Sequence, residues 1–104
     1  MGAGAEAVRI AELKAGKEAA WEALVREFTP QLMRYFRYHL PGRDEAAAED
    51  LTQETFACAL SAVERFDPQY TLGQFLFGIG RNRLTDQLRT LGHRPDGPPL
   101  EHPQ

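Results

Sequence analysis

AEDLTQETFACALSAVERFDP, residues 48–68, reads as helix up to its closing Asp-Pro. At helical spacing Leu51, Thr55, Phe56, Ala59, Ala62, Val63 and Phe66 converge on one broad side. Asp50, Gln53, Glu54, Ala57 and Ser61 point the other way. Upstream, Asp44 and Glu45 suit the positive end of a helix, so the spacing predicts one long helix over about 44–66. Cys58 falls at the border of the apolar side, where a small buried thiol is expected rather than a reactive one.

Outward from this stretch the pattern stays helical. Asp67-Pro68-Gln69-Tyr70 cannot continue the helix, and Thr71 followed by Gln74 gives a capping box for the next one, over 72 to about 91. Its apolar residues are Phe75, Leu76, Phe77, Ile79, Leu84, Leu88 and Leu91. Gly78, Asn82, Thr85 and Arg89 line a second face, with Arg81 beside them. Upstream, residues 17–28 carry Ala20, Trp21, Leu24, Val25 and Phe28 as a stripe, and 31–40 carry Leu32, Met33, Tyr35, Phe36 and Leu40. Thr29-Pro30 between them reads either as a cap with proline at the first helical position or as a kink in one helix. Pro41-Gly42 ends that unit. A first helix is expected over 5–15, with Val8, Ile10 and Leu13 for its inner side and Gly16 as punctuation. The fold class is all-α: a compact bundle of three to four helices over 1–91. A Pro/Gly-rich tail over 92–104 holds four of the seven prolines.

Composition narrows the function. A hydrophobic fraction of 42% over 104 residues supports one modest core. A single Cys excludes an internal disulfide. No run approaches the roughly 20 apolar residues of a membrane span, and no signal peptide is visible, so a cytoplasmic location is expected. The net charge of −3 is unevenly spread. Asp44, Glu45, Glu49, Asp50 and Glu54 follow one another without a base, whereas Arg81, Arg83, Arg89 and Arg94 meet only Asp86. An acidic stretch followed by a basic helix points to two partners, one of them anionic. His39, His93 and His102 have no ligand-type residue at metal spacing, and no nucleophile motif or phosphate loop occurs. No cofactor, metal or catalysis is expected.

The run at 48–68, followed by FLFGIGRNRLTDQLR (75–89) and HRP (93–95), resembles region 2 of extracytoplasmic-function (ECF) sigma factors of bacterial RNA polymerase. AWEALVREFTPQLMRYFRYHLPGRDEA (20–46) resembles the first part of the same domain. The resemblance implies that the helix of Asp50, Gln53 and Glu54 docks on the clamp helices of the largest subunit of core RNA polymerase. It implies that the following loop and helix hold the non-template strand of the minus-ten promoter element, single-stranded. Two carboxylates beside an amide suit arginines of a partner helix. Base capture needs an aromatic or apolar pocket with cations for phosphate. The loop 67–73 with Tyr70 supplies the first, with Arg81 and Asn82 next to it on the fourth helix and Arg83, Arg89 and Arg94 for the backbone. Tyr70 reads equally as a rim aromatic; Phe75 and Ile79 read as core.

The sequence also departs from that family. Phe75 stands where Trp is usual. Gly78 and Gly80 stand where larger residues are common, and suit either close approach of DNA or a loosened helix. The arginine cluster at the end of the fourth helix is thin, so affinity for free DNA should be weak. The family's helix-turn-helix reader of the minus-thirty-five element does not occur in these 104 residues, and the Pro-rich tail reads as the start of a linker to it. The alternative reading is therefore a sigma-like interaction module that binds polymerase or an anti-sigma factor without productive DNA contact.

Overall fold

A computed structural model describes residues 2–92 of the protein. Four helices, α1 (Gly2–Lys14), α2 (Glu18–His39), α3 (Glu45–Ala62) and α4 (Leu72–Thr90), follow one another, with no strand among the described residues. α3 packs along α4 and α2, and α1 lies against α2 and the turn that follows α3. Leu13, Leu24, Leu32, Phe36, Leu51, Leu72, Leu76 and Leu84 are almost wholly buried and form one continuous core. Burying each side chain of this kind contributes about 1.5–3 kcal/mol.

The Thr29-Pro30 ambiguity resolves as one helix. α2 runs through Pro30, whose exposed position leaves the carbonyl freed by its missing N–H to water. α2 stops where Pro41-Gly42 was expected to stop it, and Gly42 and Arg43 both take left-handed φ values, 67° and 53°. Asp44 then caps α3, its Oδ1 accepting the Ala47 N–H at 3.1 Å. At the far end α3 is shorter than its apolar pattern. It ends at Ala62, and a 3-10 turn, Val63–Arg65, replaces the last α-turn. Two constraints act together: Asp67 precedes a proline and is pushed out of helical geometry. Phe66 leaves the tightened turn extended, which lets it bury edge-to-face on Phe75 with ring centroids 5.1 Å apart.

α4 begins at Leu72 as its capping box dictates. Thr71 Oγ1 accepts the Gln74 N–H at 3.1 Å, and Gln74 Oε1 accepts the Thr71 N–H at 2.9 Å. Gly92, φ 79°, follows its end, and the rest of the expected Pro-rich tail lies outside the described residues. In α1, Leu13 is buried and Ile10 partly so, but Val8 is 60% exposed. Val8 stands five residues before Leu13, more than a quarter-turn off the inward line that Leu13 and Ile10 share at i, i−3. Trp21 donates its Nε1–H to the Leu13 carbonyl at 3.0 Å, which fixes the corner between α1 and α2.

The two glycines of α4 differ. A Cβ on Gly80 would stand 3.0 Å from Phe36 Cζ and 3.5 Å from Leu32 Cδ2, whereas one on Gly78 would meet nothing within 4 Å. Gly80 is a helix-packing residue, buried against α2, and not a place for close approach from outside the bundle. α4 continues unbroken through both, so neither marks a loosened helix.

Candidate functional site

α3 turns two chemistries in opposite directions. Ala48, Leu51, Thr55 and Ala59 are buried against the bundle, and Thr52 and Thr55 return their hydroxyls to the Ala48 and Leu51 carbonyls at 2.8 and 2.7 Å. Asp50, Gln53, Glu54, Ala57 and Ser61 are exposed on the other side, as the spacing requires. Glu45 is engaged by Arg37 at 3.3 Å and Asp44 by its capping role. Asp50 and Glu54 have no ion-pair or hydrogen-bond partner among the described residues. Their backbone is already fixed by the core behind it, so engaging a guanidinium there would cost little backbone entropy. Leu60, 57% exposed, extends this face by one turn from Ala57. Sequence reasoning passed over it. The signal was present: a leucine outside the apolar register of α3, beside the acidic line.

The second group of candidate residues divides in two. Tyr70 sits 55% exposed on the connection between the 3-10 turn and α4. That connection is ordered by its own bonds. Asp67 Oδ1 accepts the Gln69 N–H at 2.9 Å, and the Asp67 carbonyl accepts the Tyr70 N–H at 3.0 Å. Asn82, by contrast, stands ten residues into α4, a rise of about 15 Å. Tyr70 and Asn82 are therefore not adjacent, as the sequence reading had them; a strand touching both would have to run along α4.

On α4 itself Asn82 and Arg89 are exposed, and Gly78, Arg81, Arg83 and Thr85 are half-buried. Thr85 gives its hydroxyl hydrogen to the Arg81 carbonyl at 2.9 Å. Asp86 accepts from Arg83 at 2.7 Å and lies 3.8 Å from Arg89, so it offsets much of the charge that those arginines bring. Arg81 has a buried Nη1 with no hydrogen-bond partner. Arg94 lies outside the described residues. Phe75 and Ile79 are partly buried against the core, as expected.

Beside the Tyr70 connection opens a cleft of about 660 Å³ between it, α1 and α2. Glu6 and Arg9 of α1 border it, with Phe28 of α2 and Pro68. Of these, Phe28 was read in the sequence only as part of the apolar stripe of α2, and Glu6 and Arg9 were not singled out. All three come from positions roughly 40 to 65 residues upstream of the connection, and no local pattern links them to it. His39 lies between Tyr35 and Tyr38, with ring centroids at 4.8 and 5.0 Å, and burial lowers its pKa below the usual imidazole value. Among the described residues no group of three or more His, Cys, Asp or Glu could hold a metal ion, and no helix is long and apolar enough to cross a membrane.

Residues 24–94 match the family model for sigma-70 region 2. The ECF RNA polymerase sigma factor SigC of Mycobacterium tuberculosis is 34% identical over 92 residues, covering 86% of this chain and 48% of that protein. The ECF RNA polymerase sigma factor BldN of Streptomyces coelicolor is 33% identical over 93 residues, 85% of this chain and 34% of that one. The RNA polymerase sigma factor CnrH of Cupriavidus metallidurans is 31% identical over 85 residues, 82% of this chain and 44% of that one. The chain thus spans half or less of the length of these relatives. No solved structure is significantly similar to it. The four-helix architecture, the acidic face of α3 and these matches over most of the chain agree: the protein belongs to the sigma-70 region 2 family, with ECF sigma factors as its relatives.

Proposed function

We propose that this chain is the polymerase-binding and strand-holding part of a transcription initiation factor. α3 docks through Asp50, Gln53 and Glu54 on the clamp helices of core RNA polymerase. The non-template strand of the minus-ten element is held unpaired by Tyr70 and its neighbours and runs along α4, past Gly78, Arg81, Asn82, Arg83, Thr85 and Arg89. The observation that carries the reading is the α3 face: unpartnered carboxylates on a helix whose reverse side is core. The role is one of binding, without catalysis, metal or cofactor.

One observation favours the second reading, an interaction module without productive DNA contact. Asp86 sits between Arg83 and Arg89 and offsets charge that phosphates would otherwise meet. Strand preference separates the two. Binding of the chain to a labelled single strand should exceed binding to the matching duplex. With about three phosphate contacts, the log–log salt slope should be near −2. Tyr70→Ala should cost roughly 1–3 kcal/mol of that binding if the ring stacks on a base. Asn82→Ala should relax base preference more than affinity, since an amide reads a base edge. Equal affinity for duplex and single strand, unmoved by either change, would leave the interaction module standing.

A further inference from the structure

The first turn of α4 carries a hydrogen bond that its own sequence does not provide. The capping box satisfies the Thr71 and Gln74 amides reciprocally and leaves the Leu72 N–H over, in a half-buried position that water reaches poorly. Its acceptor is Glu6 Oε2, 3.0 Å away and 66 residues upstream. The carboxylate thereby stands at the positive end of the α4 dipole, where a negative charge is favoured. One turn further along α1, Arg9 pairs with Glu27 of α2 at 2.6 Å, which fixes the rotation of α1 and so the direction in which Glu6 reaches. The same two α1 residues border the cleft beside Tyr70. The family match begins at residue 24, so α1 lies outside it.

We propose that Glu6 is a positioning residue for base reading: by accepting the Leu72 N–H it holds the Tyr70 connection at the angle in which an unpaired base is received. The proposal rests on the strand-holding reading above. Two polar devices order the connection from within, the Asp67 turn and the capping box. The buried Phe66 and Leu72 anchor the ends of the connection in the core, but neither they nor these two devices give that unit a polar tie across the cleft to α1. The Glu6 bond ties that unit to α1, and Arg9 ties α1 to α2. Specificity follows from geometry: a stacking ring and edge-reading groups discriminate only when held in a fixed relation.

The test compares the parent 104-residue chain with Glu6→Ala, Glu6→Leu and Glu6→Gln. The probes are short, fluorescein-labelled oligothymidylate strands carrying A, C, G or T at one central position, used at low salt, where phosphate contacts are strongest. Glu6→Leu keeps side-chain bulk without an acceptor, so it serves if the alanine variant folds poorly. The ratio of best to worst affinity should fall roughly fivefold in both acceptor-free variants, the lower range of couplings between sites. Amide exchange at Leu72 should accelerate with it. Glu6→Gln, which keeps an acceptor, should restore most of the ratio. An affinity loss shared equally by all strands, or an unchanged ratio with unchanged Leu72 exchange, overturns the positioning role while leaving strand holding intact. A parent chain that treats all strands alike overturns base reading itself, and the role of Glu6 with it.

Discussion

α3 and the Tyr70 connection hold exposed side chains in place by different means. α3 presents Asp50, Gln53 and Glu54 from a helix anchored by Ala48, Leu51, Thr55 and Ala59. Its presentation is a by-product of apolar packing and inherits the stiffness of the core. The connection between Phe66 and Leu72 has an apolar anchor at each end but polar ties between them: the Asp67 turn, the capping box and the Glu6 bond. Such bonds contribute about 0.5–1.5 kcal/mol net between neutral groups and about 1.5–3 kcal/mol where a carboxylate accepts. The exposed face of α3 is thus built on the core, and the Tyr70 connection on individual polar bonds.

The contrast predicts unequal sensitivity to substitution. Leu51→Ala, which empties volume behind the acidic face at a residue 1% exposed, should cost on the order of 2–5 kcal/mol in chemical denaturation. A cost below about 1 kcal/mol would mean that α3 is not core-anchored, because even modest truncations of packed side chains reach that level. The glycines of α4 give a finer test. Gly80→Val should destabilise by about 1–3 kcal/mol, since its Cβ would press on the buried Phe36 ring. Gly78→Ala, in open space, should stabilise by about 0.5–1 kcal/mol. Equal effects at the two positions would contradict the tight approach of α4 to α2.

The smallest effect concerns His39. Its folded pKa is depressed by burial, so in the window between that value and the unfolded value of about 6.5 the unfolded chain binds more protons. Stability should therefore rise with pH through this window and be free of the penalty above it. His39→Gln should flatten that part of the pH profile. A profile that falls with rising pH there would contradict the burial of the ring between Tyr35 and Tyr38.

What the sequence disclosed tracks the range of each interaction. The start of α4 was legible because Thr71 and Gln74 are three residues apart and cap each other. The exposed line of α3 was legible because helical period alone separates Glu54 from Leu51. The 3-10 turn was not, since the apolar pattern runs through Ala62 to Phe66, and the fit of Phe66 on Phe75 acts together with the Asp67-Pro68 step to close the helix. Gly80 was misread because its meaning depends on which helix lies opposite. The separation of Tyr70 from Asn82 was missed because both were assigned to one site by role rather than by rise along α4. Glu6 was out of reach altogether: no local pattern relates a glutamate of α1 to an amide 66 residues on.

In the proposed function the acidic face of α3 is where this chain meets core RNA polymerase. The most direct test is the affinity of the 104-residue chain for purified bacterial core enzyme, measured for the parent, for Glu54→Lys and for Glu22→Lys, an equal charge reversal at an exposed position of α2. Glu54→Lys should weaken binding at least about tenfold, some 1.4 kcal/mol, with its helical content and melting temperature unchanged, while Glu22→Lys should bind like the parent. Parent-like binding by Glu54→Lys, or equal losses in both variants, would contradict that docking.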